Sequence, residues 1–232
     1  MTGIKLGITA SIEREVIIGK NSTVWRELTK RPDIGARFQV ALGHNDLHGT
    51  GFLPTDRLWI FSYSRKAEEN AALIERLKRA GAAEYVYVSS ATTNVVPQTG
   101  CYNYPTVKLL AQNLARERLN ARVLTIGVVF DRISELPGGA TIATSYDDLA
   151  RFMLAPQWPD RVEQPVRLFR SCERPFESKA EEIAFRMYGY AMNVLRRWPC
   201  VLRPVDFVLR GMGYRWYGYL YLSNKTWLTT TS

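Results

Sequence analysis

The sequence predicts an α/β fold: a parallel sheet flanked by helices, followed by a small, mainly helical C-terminal region. Three observations carry this. Short β-branched runs alternate with longer stretches of helical period through the first half of the chain, as βα units stacked on a parallel sheet do. Helix-ending glycine and proline punctuate those stretches where the period stops. Beyond Pro137-Gly138-Gly139 the alternation loosens and helical period dominates. The natural division is therefore residues 1–140 and 141–232. A length of 232 residues with 46% apolar and 23% charged content is enough for a self-sufficient core and excludes collagen-like and low-complexity classes.

The elements follow in order. Val16-Ile17-Ile18 reads as a buried-type strand, and Thr23 to Lys30 as a helix closed by Pro32. Phe38 to Leu42 and Leu58 to Phe61 are the next two strands. Ala67 to Arg79 places Leu73, Ile74 and Leu77 at helical spacing, with Gly81 just past its end, where a left-handed cap suits glycine. Tyr85 to Val88 is a strand, and Tyr104 to Leu119 a long helix with Val107, Leu110, Ala111 and Leu114 on one face. Val123 to Phe130 reads as one further strand. Helices are expected at Tyr146 to Leu154 and Ser178 to Arg197, whereas Trp198 to Trp227 has no clear pattern.

Composition narrows the function classes. Lys and Arg exceed Asp and Glu by 31 to 22, a net +9 that favours polyanionic partners such as nucleotides, nucleic acid or an anionic membrane face. From residue 151 onward there are 13 basic and 7 acidic residues, so most of the excess lies late in the chain. Cys101, Cys172 and Cys200 are far apart and form no CxxC pair, which fits a reducing cytoplasm better than a disulfide framework or a zinc cage. The N-terminus lacks the build of a signal peptide, and no apolar run of about 18 residues suggests a spanning helix. His44 and His48 flank Asp46, but Gly43 and Gly49 mark that stretch as a loop, so no metal site is expected. There is no GxSxG elbow.

The strongest chemical constellation is Ser89-Ser90-Ala91-Thr92 directly after a strand, followed by Tyr104-Pro105-Thr106-Val107-Lys108 opening a helix. Residues four apart share a helix face, so phenol and ammonium lie together. A phenol with an ordinary pKa near 10 is a poor acid–base group at neutral pH, and a neighbouring ammonium pulls that value down. Lowering it by roughly three units takes about 4 kcal/mol, a demand that Lys108 meets in part. Pro105 suits the first helical position, with Tyr104 as the cap. A serine hydroxyl at the tip of the adjacent strand can orient a reacting carbinol or carbonyl.

In these residues the sequence resembles the short-chain dehydrogenase/reductase superfamily, specifically its extended branch of nucleotide-sugar epimerases, dehydratases and reductases. The segment Tyr85 to Thr92 is similar to that branch's strand-plus-serine stretch, Tyr104-x-x-x-Lys108 to its YxxxK pair, and Thr144 to Ala150 to the segment that places a substrate-domain helix. The resemblance runs over roughly residues 15–155 and is best from 85 to 150. It implies a Rossmann-like nucleotide-binding domain over 1–140 and a substrate or interaction region over 141–232. It also implies Tyr104 as the acid–base, Lys108 as the residue that binds the nicotinamide ribose and tunes Tyr104, and Ser90 as the group positioning the reacting oxygen. The implied cofactor is NAD or NADP. The implied substrate is a nucleotide-linked or lipid-linked sugar in surface polysaccharide biosynthesis, handled by epimerisation or reduction.

The cofactor end departs from the family pattern. A dinucleotide fingerprint needs three glycines, but the strand runs into Gly19-Lys20-Asn21-Ser22-Thr23-Val24-Trp25, with Ser22 and Trp25 at the second and third glycine positions. The acid expected after the second strand is replaced by Gly43-His44, with Asp46 slightly beyond. Two outcomes stand open. In one, Gly19, Lys20, Asn21, Ser22 and Thr23 still supply donors to a phosphate. In the other, Trp25 fills the pocket and the protein is a non-catalytic scaffold or nucleotide sensor.

The C-terminal stretch interleaves Arg203, Arg210 and Arg215 with Phe207, Tyr214, Trp216, Tyr217, Tyr219 and Tyr221. Three readings apply: substrate-domain core or homodimer contact, peripheral contact with the inner face of a membrane, or nucleic-acid stacking, the least favoured.

Overall fold

The structure, a computed structural model, describes residues 12–44, 46–47, 51–99, 101–195, 198–211 and 218–230. His48 and Gly49, and Tyr214, Arg215, Trp216 and Tyr217 of the basic-aromatic stretch, lie outside the described residues, as does the Arg210 side chain.

Six strands build the main sheet: β1 (Arg14–Ile18), β2 (Val40–Leu42), β3 (Asp56–Ile60), β4 (Glu84–Ser90), β5 (Arg122–Ile126) and, from later in the chain, β8 (Val166–Leu168). Their order is β2-β1-β3-β4-β5-β8, and every neighbouring pair is parallel. Parallel strands need crossovers, and helices supply them on both faces. One face carries α1 (Thr23–Leu28), α2 (Pro32–Arg37) and α5 (Tyr146–Leu154) over Ile17, Trp59, Val86, Leu124 and Ile126. The other carries α3 (Ala67–Ala80) and α4 (Asn103–Leu119) over Val16, Ile18, Leu58, Ile60 and Tyr87. The expected Rossmann-like α/β architecture is borne out.

Charges pin the register at the strand N-termini. Glu15, Arg57, Glu84 and Arg122, one each from β1, β3, β4 and β5, alternate in sign across the sheet. Arg57 lies 2.9 Å from Glu15 and 2.6 Å from Glu84, and Arg122 lies 2.8 Å from Glu84. Buried Glu15 also accepts from Trp59 Nε1 at 2.8 Å, and Asp56 takes two bonds from Arg14. A one-residue slip would strand a buried carboxylate, so these pairs act on register more than on stability.

Several expectations need correction. Pro32 opens the short helix α2 rather than simply closing the preceding one, its ring preset for a first helical position. The single strand expected from Val123 to Phe130 breaks at Gly127, where a side chain would meet the Ile142 carbonyl oxygen at 2.5 Å. Its second part, β6 (Val128–Phe130), joins β7 (Gly139–Ser145) and β9 (Arg170–Arg174) in a separate three-stranded sheet. Leu110, expected on the apolar face of α4, is exposed. That helix starts at Asn103 with Tyr102 as its cap, so Pro105 sits third, where a missing N–H is still harmless.

The C-terminal region is helical: α6 (Lys179–Leu195), α7 (Pro199–Gly211) and α8 (Gly218–Thr230). It has its own apolar cluster of Tyr188, Met192, Leu202 and Leu222 against Val95 and Tyr102. Among the described residues no helix is long and apolar enough to cross a membrane.

One turn governs the site end of the sheet. Gly19 has φ +115°, and a Cβ there would stand 2.6 Å from the Ser62 backbone nitrogen. Both strain and clash oppose any side chain. Gly19→Ala should lower the urea unfolding free energy by roughly 2–3 kcal/mol; an unchanged midpoint would mean that the turn relaxes freely.

Candidate functional site

At the C-terminal end of the main sheet, chain order reverses: β2 lies on one side of β1 and β3 on the other. Loops leaving β1 and β3 therefore part, and a crevice opens between them. It is a cleft of about 880 Å³, within the range that holds a cofactor-sized ligand. One end is the loop after β1, with Gly19, Asn21, Ser22 and Thr23; the other holds Ser90, Tyr104 and Lys108. Gly43 and His44 after β2, Phe61 to Lys66 after β3 and Gly127 after β5 contribute further walls.

The geometry of the β1 loop follows from the glycine. Gly19 N and Lys20 N both donate to Leu42 O, at 2.7 and 3.0 Å, while Phe61 N and Ser62 N both donate to Ile18 O, at 2.8 and 3.0 Å. Ser22 caps α1 through its backbone, and its hydroxyl makes no capping bond, leaving it available to the cleft. Lys20 does not line the cleft: it pairs with Asp46, which also accepts from Gly43 N at 3.0 Å and is held below the usual carboxylate range. Trp25 does not line it either. Its ring is buried under α1, 5.8 Å from the Phe38 ring and 6.1 Å from the Phe61 ring. The indole thus fills the space between helix and sheet, and the cleft beside it stays open.

At the other end, β4 delivers Ser90 and the first turn of α4 delivers Tyr104. The Ser90 hydroxyl lies near the Tyr104 phenol and works against the effect of burial on it. Ser90 Oγ also lies 2.9 Å from Thr92 Oγ1 and accepts from Thr92 N at 3.3 Å, so the short 3-10 turn Ala91–Val95 fixes the serine rotamer. Ser89, its neighbour, turns the other way and donates to Gln112 Oε1 at 2.5 Å. Tyr104 is wedged between Tyr63, with ring centroids 5.1 Å apart, and Tyr219 of α8 at 5.7 Å.

Lys108 lies one turn further along α4 and is buried. No carboxylate pairs with it among the described residues; its Nζ sits 4.7 Å from the Tyr87 ring centroid and 5.5 Å from that of Tyr63. Ring faces attract a cation but do not replace water, so desolvation brings the ammonium pKa down to about 7. The expected lowering of the Tyr104 pKa is not found. Burial raises it, and the nearby Ser90 hydroxyl only partly opposes that. Phenol and lysine are both held toward their neutral forms, a state that an anionic ligand in the cleft would shift at the lysine.

Sequence reading missed Tyr63, Arg65 and Lys66. Tyr63 Oη is buried without a hydrogen-bond partner, and burial pushes the phenol up to about 12. Lys66 pairs with Glu69 at 2.9 Å, and Arg65 lines the cleft mouth with no ion pair among the described residues. The only sequence signal was a Ser-Tyr-Ser-Arg-Lys run following a strand. A second, smaller cavity of about 250 Å³ adjoins Tyr104 and Ser90, walled by Gly127, Ile142 and, from α8, Tyr219 and Asn224. Among the described residues no His, Cys, Asp or Glu cluster is fit to hold a metal.

No family model and no curated protein sequence matches the chain. Solved structures do. MoeE5 in complex with UDP-glucuronic acid and NAD matches at a TM-score of 0.51 and 14% identity, over 68% of this chain and 78% of that one. A short-chain dehydrogenase/reductase superfamily protein from Agrobacterium tumefaciens with bound NAD matches at 0.49 and 12%, over 69% and 79%. The resemblance read from the sequence is thus borne out at the level of fold. The residues present fit a dinucleotide: the cleft is open at Trp25, it joins the β1 loop to Tyr104, and it contains an orphaned phenol and an unpaired buried lysine.

The lysine gives a signed prediction. With its folded pKa near 7 against an ordinary value of 10.5, burial penalises the folded state wherever the unfolded chain is protonated. That penalty is full below about pH 7 and vanishes as pH rises past about 10.5. Lys108→Met should therefore gain stability over the parent at pH 6 and lose that advantage near pH 10, measured by urea midpoints. Equal differences at both would place the ammonium in water.

Proposed function

We propose that the protein is an NAD(P)-dependent oxidoreductase or epimerase of the short-chain dehydrogenase/reductase type, acting on a nucleotide-linked or lipid-linked sugar. The observation that carries this is the continuity of one cleft from the Gly19 loop to the Ser90–Tyr104–Lys108 cluster. MoeE5, solved with a UDP-sugar acid and NAD on the same fold, supports the substrate class.

In this reading the backbone of Asn21 to Thr23, with the Ser22 and Thr23 hydroxyls, takes the pyrophosphate, and Arg65 adds charge at the mouth. Lys20, paired with Asp46 and off the cleft wall, is given no part in that role. A nicotinamide dinucleotide supplies hydride exchange with a sugar carbon when bound. Ser90 Oγ holds the sugar hydroxyl beside Tyr104 Oη, and Tyr104 Oη takes or returns the hydroxyl proton. Lys108 Nζ bonds ribose hydroxyls and, once protonated, favours phenolate at Tyr104. Tyr63 and Tyr219 hold the Tyr104 ring and keep water from it. The raised phenol pKa accords with a group that waits protonated until the cleft is filled. The smaller cavity beside Ser90 and Tyr104 suits part of the sugar.

A second reading, a scaffold that keeps the fold without turnover, is favoured by Ser22 and Trp25 at fingerprint glycine positions. Thermal shift separates the two. NAD or NADP at about 100 times its dissociation constant should stabilise the protein by about 2.7 kcal/mol; no shift with either at millimolar concentration would favour the scaffold. Tyr104→Phe should cut turnover of an accepted nucleotide sugar by at least roughly a hundredfold while leaving dinucleotide affinity near the parent value. Retained activity would remove Tyr104 from the chemistry.

A further inference from the structure

The smaller cavity beside Ser90 and Tyr104 has a wall that the chemistry assigned to the main cleft does not use. α8 supplies it, packed against both the 3-10 turn after β4 and the strand β7. From that helix come Leu220, Ser223 and Asn224, and with Ala91, Val128 and Ile142 they bound about 250 Å³. No charged side chain lines this space among the described residues. Its hydroxyls are already engaged: Ser90 Oγ and Thr92 Oγ1 lie 2.9 Å apart, and Ser223 Oγ donates to Ala91 O at 3.0 Å. Asn224 differs. It is 4% exposed, and its Oδ1 accepts from Ile142 N at 3.0 Å. A backbone N–H can meet only the oxygen end of the amide, so this bond fixes which way the amide is turned. Nδ2 is then left buried with no partner among the described residues. A buried donor without a partner is costly, and folded proteins keep few of them.

We infer that Asn224 determines sugar specificity, its Nδ2 donating to the carbonyl oxygen of an acylamino substituent on the sugar. This rests on the cleft being a dinucleotide and nucleotide-sugar site, as proposed above, and names the sugar class left open there. Three substituents compete for the place: hydroxyl, carboxylate and acylamino. A hydroxyl is about the size of a water molecule, roughly 30 Å³, and would leave most of the cavity empty. A carboxylate would be buried there with no cation to pair it. An acylamino group needs a donor for its carbonyl, an acceptor for its N–H and apolar surface for its methyl. Asn224 Nδ2 is the donor. Ser223 Oγ, whose proton is committed to Ala91 O, keeps lone pairs that can accept. Ala91, Val128, Ile142 and Leu220 offer the apolar surface.

Calorimetric titration of the full chain, loaded with NAD or NADP, tests this with matched pairs: UDP-N-acetylglucosamine against UDP-glucose, and UDP-N-acetylgalactosamine against UDP-galactose. In at least one pair the acetamido member should bind roughly tenfold or more tightly than the hydroxyl member. Asn224→Asp keeps an oxygen for Ile142 N and removes the donor. Measured at about pH 8, where the carboxyl is ionised, it should bring that preference down to about threefold or less. A thermal midpoint near the parent's shows that the variant folds. Equal binding within both pairs, preference for the hydroxyl members, or a preference that the folded variant retains would overturn the inference while leaving the cleft a sugar site. Failure to bind any of the four sugars, with or without dinucleotide, would overturn the sugar site and the role of Asn224 together. If the variant does not fold, the preference of the parent decides alone.

Discussion

The end of β3 passes against the turn that follows β1, and most of the site depends on that contact. Ile18 O accepts from both Phe61 N and Ser62 N, and only a residue without a side chain can occupy position 19 beneath Ser62. With the backbones that close, the loop after β1 leaves toward α1, and the chain after β3 leaves toward α3. The crevice between them is a consequence of strand order and needs no further shaping. The bulk at Trp25 is tolerated because it is directed into the layer between helix and sheet, where Phe38 and Phe61 receive it. The glycine at position 19 is the one that backbone contact demands.

At the far end of the cleft, electrostatics are set by what is missing around Lys108. A buried ammonium that meets aromatic faces and, among the described residues, no carboxylate has its pKa brought well below the ordinary lysine value. Tyr104 is held protonated by burial, which the nearby Ser90 hydroxyl opposes only in part. The pair is not a preformed ion pair: the phenol is held protonated, and the lysine pKa is brought down to about 7. An anionic ligand that recharges the lysine changes the environment of the phenol in the same step. The desolvation that lowers the lysine pKa also weakens the fold at neutral pH.

The C-terminal helices link the site to the outer surface. α8 holds the 3-10 turn after β4 through Ser223 Oγ and Trp227 Nε1, both donating to Ala91 O, at 3.0 and 3.1 Å. Asn224 Oδ1 accepts from Ile142 N in the second sheet at 3.0 Å, tying that sheet to the same helix. Through these bonds the segment that bears Ser90 is braced from outside the main sheet. α6 packs on α8, and α7 packs on α6.

Much of this was legible in the sequence. The alternation of buried runs and helical period set the strands and the helices α3 and α4, and Gly81 adopts the left-handed cap expected of it. The four-residue spacing of Tyr104 and Lys108 fixed their common face, and the late excess of basic residues was countable at once. These are local properties, because helix and strand periods are set within a few residues along the chain. The tertiary structure alone decided the rest. It placed Trp25 in the core rather than the cleft, broke the strand at Gly127, brought Tyr63 beside Tyr104, turned Lys20 to Asp46 and reversed the direction of the Tyr104 pKa. Each of those depends on distances between segments far apart in sequence and on how completely water is removed, and neither quantity has a local signature in the order of amino acids.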